Sequence, residues 1–120
     1  MKVELSRKFI FSAAHYLPNV PAQHKCHRLH GHSYEIEVAV RGDVSPDTGW
    51  LMDYGAIDEQ VKPIIAELDH RTLNDIPGLE NATSEVLCGW LWQRLDQRLP
   101  GLCRISVAET CAAACHYRGE

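Results

Sequence analysis

His30-Gly31-His32-Ser33-Tyr34-Glu35-Ile36-Glu37-Val38-Ala39-Val40-Arg41 alternates between two kinds of side chain. Tyr34, Ile36, Val38 and Val40 share one parity, and Ser33, Glu35, Glu37 and Arg41 the other. Successive side chains of a strand leave opposite faces, so the stretch reads as a β-strand with one face in a core. His30 and His32 have the apolar parity, which sets both imidazoles on the core side. Upstream, Cys26-His27-Arg28-Leu29 adds a thiol and another imidazole. Neutral imidazole is the commonest protein ligand for Zn²⁺, and a catalytic zinc takes three protein ligands and keeps one position open. His15, in Phe11-Ser12-Ala13-Ala14-His15, is the best candidate for the third. Cys26 is then either a fourth ligand that closes a structural site or a reactive group beside the metal.

Residues 3–15 alternate as well, with Val3, Leu5, Phe9, Phe11 and Ala13 on one parity and His15 continuing it; Arg7 and Ile10 break the pattern. Pro18, Asn19 and Pro21 stop this strand and open a loop. If the two strands pair antiparallel, the end of the first lies beside the start of the second. A register with His15 opposite His32, Phe11 opposite Ile36 and Phe9 opposite Val38 brings the three imidazoles together on the buried face, at one end of the sheet.

Gly42 to Gly49 is turn chemistry. A helix starts near Asp53 with the stripe Ile57, Val61, Ile64, Ile65 and Leu68, weakened or bent by Pro63 and closed by Leu68-Asp69-His70-Arg71. Thr83 or Asn81 caps a second helix with Glu85 in its first turn; its stripe runs Val86, Leu87, Trp90, Leu91, Leu95, Leu99, and Pro100-Gly101 ends it. Cys103 to Glu109 alternates again, Thr110 to Ala114 reads as a turn, and His116-Tyr117-Arg118 as a short last strand. The order ββααββ is that of an α+β domain spanning residues 1–120: an antiparallel four-stranded sheet with two helices on one face. Exposed sheet edges invite pairing between subunits, so a homo-oligomer closed through the sheet is expected.

The chain has 120 residues and a net charge of −4, which argues against nucleic-acid binding through a general basic field. No apolar run approaches the roughly 20 residues that span a bilayer. The N-terminal residues have no signal-peptide apolar block, and five cysteines read as reduced thiols of a cytoplasmic protein. Of seven histidines, five fall between positions 15 and 32, which concentrates ligand chemistry in one place.

Other groups add to that chemistry. Lys25 and Arg28 flank Cys26 and favour its thiolate; with His27 they also suit phosphates. Asp69-His70 combines a carboxylate and an imidazole suited to proton transfer, acting together on a third group because adjacent residues rarely face each other. Glu109 has core-side parity, where a carboxylate needs a partner, and it suits the paired N–H groups of a pterin or guanine edge.

Phe11-x-Ala13-Ala14-His15, Cys26-x₃-His30-Gly31-His32, Leu68-Asp69-His70 and Glu109-Thr110 together resemble the 6-pyruvoyl-tetrahydropterin synthase family, over nearly the whole chain. The three residues between Cys26 and His30 are similar to the bacterial branch that serves queuosine biosynthesis. The resemblance implies the tunnelling fold, ββααββ, assembled as an oligomeric barrel, usually a hexamer of two trimers with active sites between subunits. It implies zinc on His15, His30 and His32, bound to the side chain of 7,8-dihydroneopterin triphosphate. Cys26 is then the base, Asp69 and His70 a relay from a neighbouring subunit, and Glu109 the pterin anchor with Thr110 beside it. The implied products are a 6-carboxy-tetrahydropterin, acetaldehyde and triphosphate. One departure is Ala82, where relatives often carry proline.

Overall fold

The computed structural model describes residues 1–120. Strand β1 runs Lys2–His15, β2 His30–Asp43, helix α1 Tyr54–Leu68, helix α2 Ser84–Leu95, β3 Leu102–Thr110 and β4 Ala113–Tyr117. Short 3-10 turns occupy Lys25–His27 and Leu73–Asp75. The strands form one antiparallel sheet in the order β1-β2-β3-β4. The helices cover one face, α1 over β1 and α2 over β3 and β4.

Sheet and helices meet through the residues that the two periodicities select. Phe9, Phe11, Tyr34, Ile36, Val38, Ile105 and Val107 face Ile57, Val61, Ile64 and Leu68 of α1 and Leu87, Leu91 and Leu95 of α2, all buried. Asp53 caps α1, its carboxylate accepting from the Gly55 N–H at 2.9 Å. Thr83 caps α2, its hydroxyl accepting from the Val86 N–H at 3.1 Å. Helix α1 runs through Pro63, which is exposed, without ending there.

Three boundaries differ from the sequence reading. The β1–β2 ladder pairs His15 with His30, Ala13 with His32, Phe11 with Tyr34 and Phe9 with Ile36, two residues from the expected register. Strand β2 starts at His30 directly after the loop, so the ladder runs to the ends of both strands. A two-residue shift preserves parity, and the three histidines stay on one face. Helix α2 stops at Leu95 rather than reaching Leu99: the chain tightens into a turn in which the N–H groups of Arg98 and Leu99 both donate to the Leu95 carbonyl. Leu99 is nevertheless buried. The turn after β3 is only Cys111-Ala112, because Ala113 already pairs with Thr110. Gly101 has φ +83°, and a Cβ there would lie 2.5 Å from the Arg41 carbonyl oxygen, so the return into β3 requires glycine.

Candidate active site

His15 ends β1, and His30 and His32 begin β2, so rigid strands carry all three imidazoles. Their ring centroids form a near-equilateral triangle of 4.5, 4.9 and 5.0 Å, each pair edge to face. One ligand atom from each lies within 4.8 Å of the others. His15 Nδ1 is 2.7 Å from the Ala82 carbonyl, and His30 Nδ1 is 2.7 Å from the Arg28 carbonyl. A carbonyl only accepts, so both rings carry a proton on Nδ1, which leaves Nε2 of the neutral imidazole as the free lone pair. Nε2 of His15 and of His32 is buried without a protein partner. Burial pulls both imidazoles below their ordinary pKa and so favours the neutral form, opposed at His15 by the Ala82 hydrogen bond and then Glu109, and at His32 by Glu109. Imidazoles converging with unpaired nitrogens are the donor set of a divalent metal, and the three residues fit one.

Nothing local to β1 orients His15. Asn74, in the turn after α1, is itself buried and donates to the Tyr16 carbonyl at 2.7 Å and the Glu80 carbonyl at 3.1 Å. Its side-chain oxygen accepts from the Tyr16 N–H at 3.0 Å. The end of β1 is thus tied to the segment that presents the Ala82 carbonyl to His15. Asn74 was not singled out from sequence, where an amide beside Asp75 reads as ordinary loop composition.

Glu109, near the end of β3, is half-buried. The Ser84 hydroxyl, in the first turn of α2, donates to its Oε1 at 2.9 Å, and its Oε2 is 3.6 Å from His32 Nε2. Ser84 was not singled out from sequence. Thr110 is exposed. Hollows of about 540 and 480 Å³ flank Glu109, one reaching Ser84 and Cys115, the other His32 and Ser33, a size suited to small ligands. Tyr34 lies edge to face with His15 and His32 and stacked on Phe11. Its hydroxyl is buried without a partner. Burial first and Glu109 second push this phenol up, so it is a neutral donor.

Cys26 sits in the 3-10 turn Lys25–His27. Its carbonyl accepts from the Leu17 N–H, and its own N–H donates to His24 Nδ1. It is half-buried and does not join the histidine group; Lys25 and Arg28 beside it are exposed.

Asp69 and His70 are likewise not among the ligand atoms of that group; they lie along the outer edge of β1. The Ser12 N–H donates to Asp69 Oδ1 at 3.0 Å, the His70 N–H donates to the Ser12 carbonyl, and Ala14 pairs with Thr72. Contrary to the sequence expectation, the two neighbours do face each other: His70 Nδ1 is 2.9 Å from Asp69 Oδ1. His70 has φ +59°, a left-handed backbone that turns its ring back on the carboxylate. Hydrogen bonding from Ser12 first, then His70, holds Asp69 below the usual carboxylate range. Ser12, His32, Ser33, His70 and Arg71 line a hollow of about 540 Å³.

The model of the 6-pyruvoyl tetrahydropterin synthase family matches residues 4–120. The chain belongs to this family. It is 39% identical to a 6-carboxy-5,6,7,8-tetrahydropterin synthase of Synechocystis sp., over 92% of this chain and 89% of that one. It is 34% identical to the dihydroneopterin monophosphate aldolase of Pyrococcus furiosus, over 91% of each. Among solved structures, the Caenorhabditis elegans 6-pyruvoyl tetrahydropterin synthase superposes with a TM-score of 0.91 at 26% identity, covering 100% of this chain and 97% of that one. The four-stranded sheet with two helices is therefore the tunnelling fold of the 6-pyruvoyl tetrahydropterin synthase family.

Proposed function

We propose that this chain is a cytosolic zinc-dependent lyase that converts 7,8-dihydroneopterin triphosphate and one water to 6-carboxy-5,6,7,8-tetrahydropterin, acetaldehyde and triphosphate in queuosine biosynthesis. The observation that carries this reading is the convergence of three imidazoles, two with bare buried nitrogens, next to a carboxylate held by a hydroxyl. The 39% identity to the Synechocystis enzyme supports the choice of product.

In this reading His15, His30 and His32 hold zinc, which supplies Lewis acidity to the substrate's side-chain hydroxyls. Glu109 accepts two parallel N–H bonds from the pterin edge, with Thr110 beside it. Cys26 removes a proton from the adjacent carbon, and His70, oriented by Asp69, moves protons at Nε2. Lys25 and Arg28 pair with the triphosphate. Cys26 and the Asp69–His70 pair are not among the three metal-ligating residues, and in this reading the complete site is assembled between copies. The edges of β1 and β4 suit such a homo-oligomer, taken as a hexamer of two trimers. The position of Cys26 also weighs against a closed structural zinc site.

A second reading keeps the site and makes the pyruvoyl product without carbon–carbon cleavage; the likeness to the C. elegans enzyme favours it. Zinc-loaded protein incubated with 7,8-dihydroneopterin triphosphate separates them. Acetaldehyde with a 6-carboxy pterin supports the lyase, a pyruvoyl pterin without acetaldehyde supports the second reading, and no turnover refutes both.

A further inference from the structure

Three buried side-chain polar atoms have no partner in this chain, and all belong to one cluster: His15 Nε2, His32 Nε2 and the Tyr34 hydroxyl. A metal accounts for the two nitrogens. It does not account for the phenol, which is neutral and needs an acceptor. Tyr34 is 1% exposed. Its ring is held flat on Phe11, 5.0 Å between centroids and 9° between planes, and meets the rings of His15 and His32 edge to face at 5.8 and 5.5 Å. Glu35 pairs with Ala108, so the next step of the ladder sets Tyr34 beside Glu109. The Glu109 carboxylate already takes the Ser84 hydroxyl and approaches His32. A phenylalanine would fill the same space without a stranded hydroxyl.

We propose that the Tyr34 hydroxyl donates a hydrogen bond to the ligand oxygen that completes the coordination of a metal on His15, His30 and His32. Tyr34 is thereby a positioning residue for the oxygen-bearing side chain of the substrate. This rests on the metal-binding part of the proposed function. The hydroxyl is stranded in the metal-free protein and satisfied once a metal with its water or hydroxyl ligand arrives, so its removal has opposite consequences in the two states.

The test is Tyr34→Phe with Zn²⁺ alone as probe, reading melting temperature with and without the metal and zinc affinity by calorimetry. The metal-free variant is expected to melt about 2–5 °C above the parent. The zinc-saturated variant does not share that gain, and zinc affinity falls about tenfold. An equal gain in both states with unchanged affinity overturns the proposal while leaving the metal site standing. Failure of the variant to fold overturns it too, since the hydroxyl would then have a partner without metal. If the parent binds no zinc, the metal site itself falls and this inference with it.

Discussion

Replacing Asn74 by alanine removes three hydrogen bonds at once, two donated to the carbonyls of Tyr16 and Glu80 and one accepted from the Tyr16 N–H. Asn74 is 8% exposed, so its own side chain is largely withdrawn from water. At about 1 kcal/mol for each net bond, the loss is about 3 kcal/mol. That is a large share of the ~5–15 kcal/mol that holds a domain together, and it lowers the melting temperature by about 10 °C. The Ala82 carbonyl that fixes His15 hangs on the same segment, so zinc affinity falls with stability, by about tenfold. Asn74→Asp sharpens the test, because it keeps the acceptor for the Tyr16 N–H but turns a carboxylate oxygen toward two carbonyls. That carboxyl is held above its ordinary pKa in the fold, so the folded state binds the extra proton. Stability is then recovered as pH falls and lost as it rises. Urea unfolding across pH and zinc calorimetry read both effects. A loss under about 1 kcal/mol for Asn74→Ala, with His15-dependent zinc binding intact, would refute the assignment.

His32→Ala is expected to lower zinc affinity by at least about 100-fold with little loss of stability in the metal-free protein, measured by competition with a chelating dye. Folded His15 and His32 titrate below the unfolded value of 6.5, so the unfolded chain binds more protons as pH drops. Metal-free protein is therefore stable above about pH 6.5 and loses stability as pH falls below it; unfolding curves flat from pH 7.5 to 5.5 contradict neutral burial. Cys26→Ala should keep zinc and lose turnover, and a variant that loses zinc returns Cys26 to the ligand set. His70→Gly removes a side chain from a left-handed backbone, so stability should hold or rise by up to about 1 kcal/mol while turnover is lost; a clear drop in stability would show that no strain is stored there.

The face on which the histidines sit was legible because it depends only on parity. His15, His30 and His32 continue the apolar alternation of their strands, and the register error of two residues left them together, since side-chain direction repeats every two residues. Helix starts were legible for a similar reason: Asp53 and Thr83 bond backbone groups two or three residues away. The end of α2 was not, because Leu99 keeps its place in the core from a tightened turn as well as from a helix.

Alternation within the chain thus determined which side chains face the core, and with it the metal-type triad; the ligand chemistry follows from residue type. Only the tertiary structure decided how that triad is held. The Ala82 carbonyl reaches His15 across 67 positions, Asn74 ties the two segments, Ser84 orients Glu109, and a left-handed His70 turns onto Asp69. The reason is range. Parity and caps are set by neighbours a few residues apart, whereas a ring's tautomer and a carboxylate's aim depend on groups that meet only when the sheet and helices close.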